Sequence, residues 1–121
     1  MTTRRELPSR RQASVHEVEV DHAIYTVTIS YYEDGTPGEV FIDSGKSGSA
    51  IDVLLSDAAI LASIALQSGV TAALLAKSMS RLAGAAFQPA AAPASAIGAA
   101  MDLLARIAAA GPFSGLREGG T

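Results

Sequence analysis

Between residues 15 and 43 the apolar positions recur with a period of two. Val18 and Val20 alternate with Glu17, Glu19 and Asp21. Tyr25, Val27, Ile29 and Tyr31 alternate with Thr26, Thr28 and Ser30, and Val40 and Ile42 close the series. Such alternation turns one side of each strand to a core and the other to water, which predicts three antiparallel strands. A tight turn over residues 21–23 joins the first two. Glu33-Asp34-Gly35-Thr36-Pro37-Gly38 makes a longer second turn whose glycines tolerate positive φ. A meander with one half-polar face needs an apolar cover for the other.

From residue 49 the period changes to 3.6. Ile51, Leu54, Leu55, Ala58, Leu61, Ala62, Ala65 and Leu66 make one stripe, and Val53, Ile60 and Ile64 a second, so the pattern predicts a helix over 49–68 buried on two sides. Ser49 with Asp52 suits its start and Gly69 its end. Thr71 opens a second helix carrying Leu74, Leu75, Met79 and Leu82 and ending near Gly84. Residues 87–93, bracketed by prolines, read as a connector. A third helix places Ile97, Met101, Leu104 and Ala108 on one face and stops at Gly111-Pro112. The fold class expected is α+β: a three-stranded antiparallel meander followed by about three helices packed on one face. It divides into a basic arm over 1–14, one domain over 15–110 and a flexible tail over 111–121.

Composition refines this picture. Of the 49% hydrophobic residues, 24 are alanine and only six residues are aromatic, so the core is modest and added burial through self-association, as a homodimer, is expected. The net charge of −3 conceals a polarity: residues 1–16 carry +3, 17–57 carry −8 and the rest +2. An acidic total argues against nucleic acid as a partner. Arg4, Arg5, Arg10 and Arg11 read as a mobile tail or an arm folded on its own acidic domain. No apolar stretch follows Met1, so the expected location is the cytoplasm. The most apolar window, 53–70, is broken by Ser56, Asp57, Ser63, Gln67 and Ser68 and reads as a buried helix, with no membrane partner.

Candidate chemistry is sparse. The absence of cysteine removes disulfides, thiolate metal sites and cysteine nucleophiles. His16 and His22 stand ~20 Å apart if the strand is continuous, too far to share a metal, and no cofactor is expected. No Gly-x-Ser-x-Gly elbow supports a serine hydrolase. Asp57 is an unusual acid in an apolar helix, beside Ile60 and Ile64; it reads as a structural acid before a catalytic one, and the three mark a candidate interface. The strongest local signal is Gly45-Lys46-Ser47-Gly48-Ser49 at the entrance to the first helix. Glycines, helix-start amides, a lysine and hydroxyls are what a phosphate or nucleotide would need. A Walker loop is ruled out, because Val40 occupies the position of its first glycine. An ordinary helix-capping turn is the competing reading.

Linked segments carry a family resemblance. Leu7-Pro8-Ser9-Arg10-Arg11, the run Tyr32-Glu33-Asp34-Gly35-Thr36-Pro37-Gly38-Glu39-Val40-Phe41-Ile42-Asp43, the Gly/Lys/Ser turn and residues 59–70 resemble the TSCPD-type domain. That domain occurs near the C-terminus of adenosylcobalamin-dependent (class II) ribonucleotide reductases and in short stand-alone bacterial proteins. The resemblance spans about residues 7–75 and is less clear over 83–121. It implies a relative of ribonucleotide reductase, but the family's cysteine-containing motif is missing. Neither its thiol chemistry nor a catalytic role carries over. The expected function is a non-catalytic accessory domain that binds or modulates a reductase or another protein, with phosphate or nucleotide binding at 45–49 as the alternative.

Overall fold

The computed structural model describes residues 4–46, 48–82 and 92–110. Three strands, β1 (Ala13–Val20), β2 (Ala23–Tyr31) and β3 (Pro37–Asp43), form an antiparallel sheet in that order, followed by α1 (Ala50–Gln67), α2 (Ala72–Ser78) and α3 (Ala96–Ala109). This is the α+β arrangement that the periodicities predict. The first turn is two residues, Asp21 and His22, with φ of 52° and 68°. Positive φ at both central positions suits the right-handed twist of a hairpin, although neither residue is glycine. The register sets Val15, Thr28 and Phe41 in one row on the outer face of the sheet.

Val27, Ile29, Tyr31, Val40 and Ile42 line the inner face and meet Met101 and Leu104 of α3 in the core. The β1 side of this layer also carries a polar chain: Ser14 Oγ lies 2.8 Å from His16 Nε2 and 2.7 Å from the Tyr31 hydroxyl. Burial raises the Tyr31 phenol pKa, and the bond to Ser14 opposes that rise.

α1 runs along β3, the edge strand. Backbone groups on that edge would be orphaned beside an apolar helix, and α1 supplies partners for them. Val40 N–H donates to Ser63 Oγ at 2.9 Å, and Gln67 Nε2 donates to the Gly38 carbonyl at 2.8 Å. The buried residues of α1 are therefore Leu55, Ala59, Ala62, Ser63 and Gln67. Small side chains allow close approach, and the two polar ones satisfy the strand.

That placement corrects the expectation of a helix buried on two sides. Ile51, Val53, Leu54, Ile60, Leu61 and Ile64 are all exposed. Two further corrections concern the later helices. α2 ends at Ser78 instead of near Gly84, because Met79 turns to extended backbone and Arg81 enters a bridge with Pro93. Arg81 Nη2 donates to the Ala76 carbonyl, and the guanidinium grips Asp102 of α3 through two nitrogens, at 2.7 and 2.8 Å. On α3, Ala108 is exposed. Gly84, Gly111-Pro112, the tail over 111–121 and most of the 87–93 connector lie outside the described residues.

The basic arm over residues 4–12 lies on the domain's own surface. Arg5 stacks on the Tyr32 ring, 3.6 Å from its centroid, and reaches Asp34 at 3.3 Å. Tyr32 donates its hydroxyl to the Arg5 carbonyl at 2.8 Å, while Arg11 contacts Glu39 at 3.1 Å. Burial pushes the Tyr32 phenol pKa up, and Arg5 and Arg4 pull against it. The Asp34 carboxyl is held below its ordinary range chiefly by the Thr36 hydroxyl and amide, with Arg5 adding less. A side chain at Gly38 would collide with the Tyr32 ring and Leu7, so only glycine lets arm and turn close together.

Candidate functional site

Because α1 stands beside the edge of the sheet, a groove opens between the helix and the sheet's outer face. It encloses about 550 Å³. Thr26, Thr28 and Phe41 form its floor, and Ser56, Ile60 and Ile64 form the helical wall. Asp43 and Asp52 stand at the end near the start of α1; Arg4, Glu39 and Gln67 stand at the other. Arg4 donates Nε to Gln67 Oε1 at 2.5 Å, and Arg5 N–H donates to the Gln67 carbonyl at 2.7 Å. One glutamine thus ties arm, helix and strand edge together at the groove's end.

The apolar wall continues over the solvent side of α1. Leu61 is 69% exposed, Leu54 65%, Ile60 55% and Val53 52%. Asp57 lies among them: Val53 and Leu54 precede it by four and three positions, and Ile60 and Leu61 follow by three and four. Those spacings put all five side chains on one helical patch. Asp57 is exposed, and among the described residues it has no ion-pair or hydrogen-bond partner for its carboxylate. The three residues expected at an interface, Asp57, Ile60 and Ile64, thus share one surface.

The turn at 44–49 adjoins the acidic end of the groove. Gly45 and Gly48 adopt φ of +80° and +83°, and Ser49 caps α1 by accepting the Asp52 amide at 3.2 Å. Gly45 N–H donates to Asp43 Oδ1 at 2.8 Å and Lys46 N–H to Ser44 Oγ at 3.2 Å. The Ser44 hydroxyl donates to Asp52 Oδ1 at 3.1 Å. These donors are therefore engaged within the turn, and two of the acceptors are the carboxylates of Asp43 and Asp52, which put negative charge beside it. Ser47 lies outside the described residues; Lys46 is exposed. Among the described residues no group of three His, Asp or Glu side chains could hold a metal ion.

Sequence reasoning missed the groove, Phe41 and the pair Ser63 and Gln67. The available signal was the four-residue spacing of Ser63 and Gln67 on the same side as Ala59 and Ala62. Those residues mark a small, polar stripe inside an apolar helix.

Comparison with known proteins relates part of the chain to ribonucleotide reductases. A vitamin B12-dependent ribonucleotide reductase from Bradyrhizobium diazoefficiens is 38% identical over 71 residues, covering 58% of this chain and 6% of the reductase. The Agrobacterium fabrum reductase is 40% identical over 68 residues, covering 55% of this chain and 5% of its own length. The Rhodopirellula baltica reductase is 36% identical over 67 residues, with shares of 55% and 6%. The matched stretch is thus a small part of each relative. No solved structure matches the chain. The TSCPD domain family model matches residues 2–108, nearly the whole sequence, and the chain belongs to that family.

Proposed function

We propose that this chain acts as a non-catalytic interaction module in ribonucleotide reduction, docking on a reductase-type protein in the cytoplasm through α1 and the adjoining groove. The observation that carries this reading is the solvent face of α1, where six large aliphatic residues stand exposed on one 18-residue helix. Exposed apolar area on that scale marks a contact surface. Two facts lend support. The relatives that share this domain are ribonucleotide reductases, and these 121 residues contain no cysteine to supply a thiol radical or a dithiol reductant. Binding is then the contribution left to the module. The turn at 45–49 serves in this reading to start α1, the Gly45 and Lys46 amides being engaged by Asp43 and Ser44 while Ser49 caps the helix through the Asp52 amide.

The test is direct binding of the immobilised chain to a purified vitamin B12-dependent ribonucleotide reductase, with and without nucleotide. Saturable binding that the double substitution Leu54→Asp, Leu61→Asp removes is the expected result. Both residues are more than 60% exposed, so the variant keeps its core. A folded wild-type chain that fails to bind the reductase under every condition refutes the reading.

A further inference from the structure

We propose that the α1 face seats an amphipathic helix of the partner protein, apolar along the contact and carrying one arginine or lysine opposite Asp57. This inference rests on the interaction reading above and adds the chemistry of the partner. Taking roughly 180 Å² for a fully exposed aliphatic side chain, the exposed parts of Val53, Leu54, Ile60, Leu61, Ile64 and Phe41 amount to about 600 Å², approaching the ~800 Å² per partner of a stable interface. The surface is therefore large enough for a committed partner. Its shape, an apolar helix flank beside a groove floored by Phe41 and Thr28, suits a helix laid alongside.

Any chain that covers Val53, Leu54, Ile60 and Leu61 also takes Asp57 out of water. A carboxylate desolvated without a cation opposes binding, whereas one facing a guanidinium or ammonium contributes a charge-assisted hydrogen bond. A second copy packed α1 against α1 brings no such cation from the helix itself. Asp57 is the only charged residue among the positions of its exposed face, and two copies would bury two unpaired carboxylates. An anionic bilayer is disfavoured too, because Glu39, Asp43 and Asp52 outnumber Arg4 around the same groove. A helix with a basic residue inside its apolar stripe resolves both requirements, and Asp57 then selects the partner and sets its register.

Three synthetic helices of about 18 residues test this, with identical leucine and alanine stripes and arginine, norleucine or glutamate at the central position. Fluorescence anisotropy reads their binding to the full chain. The arginine helix is expected to bind at least about tenfold tighter than the norleucine helix. Asp57→Asn should erase that preference, and Asp57→Arg should transfer it to the glutamate helix. Leu61→Glu should weaken all three. Equal binding of the three helices overturns the proposed role of Asp57 but leaves the face an interaction surface. A reversible dimer in sedimentation, dispersed by Leu61→Glu, identifies a second copy as the occupant and also overturns it. So does adsorption to phosphatidylcholine vesicles in preference to every helix. A monomeric chain that binds no helix and no vesicle removes the α1 face as a docking surface altogether, and the inference with it.

Discussion

Replacing Ser63 with alanine removes one hydroxyl and no packing volume of consequence, so it isolates how α1 holds the edge of β3. Ser63 Oγ accepts from Val40 N–H at 2.9 Å, and its own proton has the Ala59 carbonyl at 2.8 Å and the Val40 carbonyl at 3.2 Å within reach. Val40 is 1% exposed and Ser63 7%, so water has little access to the amide once the hydroxyl is gone. Leaving a buried donor unpaired costs about 1–3 kcal/mol. Alanine returns about 0.5 kcal/mol of helix propensity. The net loss is therefore about 1.5 kcal/mol, which lowers Tm by roughly 6 °C for a domain of this size. Ser56→Ala on the exposed side of the same helix is the control, and it should be neutral or slightly stabilising. Calorimetry on both variants gives the comparison, and amide exchange localises it: Val40 should lose protection more than Val27 and Ile29. A Ser63→Ala Tm within about 2 °C of the control, with Val40 still protected, would refute the edge-capping argument.

His22→Gly should stabilise the fold by about 1 kcal/mol, since φ of +68° strains any L side chain, and a rise of a few degrees in Tm checks it. Acid should weaken the fold through Asp34 and Asp102, whose carboxyl pKa values are depressed, chiefly by the Thr36 hydroxyl and by Arg81 respectively. A depressed native pKa means that this stability is complete above the unfolded value near 3.8 and disappears as pH falls through the lower folded value. Asp102→Asn should flatten the Tm profile below about pH 4, and an unchanged acid limb would contradict the assignment. Pyrophosphate and nucleoside phosphates at millimolar concentration should leave Tm unchanged, because the Gly45 and Lys46 amides are engaged by Asp43 and Ser44 and the Ser49 amide by the Lys46 carbonyl. A stabilisation that Lys46→Ala abolishes would restore an anion site at residues 45–49.

The sheet was legible because its period-two pattern has only one solution: once Val27 and Ile29 point inward, Thr26 and Thr28 must point outward. Helix caps were legible for the same local reason. Ser49 and Thr71, expected at helix starts, each accept the amide three residues on, and Ser95, which the periodicity did not single out, does the same for α3. The orientation of α1 was not legible. Its sequence offers apolar residues on nearly every side, and the rule that large aliphatics face the core chooses the wrong one. What decides the matter is the strand beside it, whose edge needs hydrogen-bond partners and close approach. Such a demand comes from a neighbour distant in sequence, so no window along the helix contains it. The extent of α2 escaped for a similar reason: Arg81 is drawn out of the helix by Asp102, twenty-one residues away.

The same edge-capping explains why an exposed apolar face persists at all. A sheet edge can be closed by another strand or by side chains, and here α1 closes it with Ser63 and Gln67. Once those residues face β3, the 3.6-residue period carries Leu54, Asp57 and Leu61 to the opposite side, and no single-residue exchange turns them inward without opening the edge again. The aliphatic side chains on that face therefore do not serve the fold that displays them. Solvated residues at those positions would leave Leu55, Ala59, Ala62, Ser63 and Gln67 where they are. An apolar surface that folding does not require, with one exposed carboxylate in its midst, is the observation from which the proposed docking of a partner of complementary charge is argued.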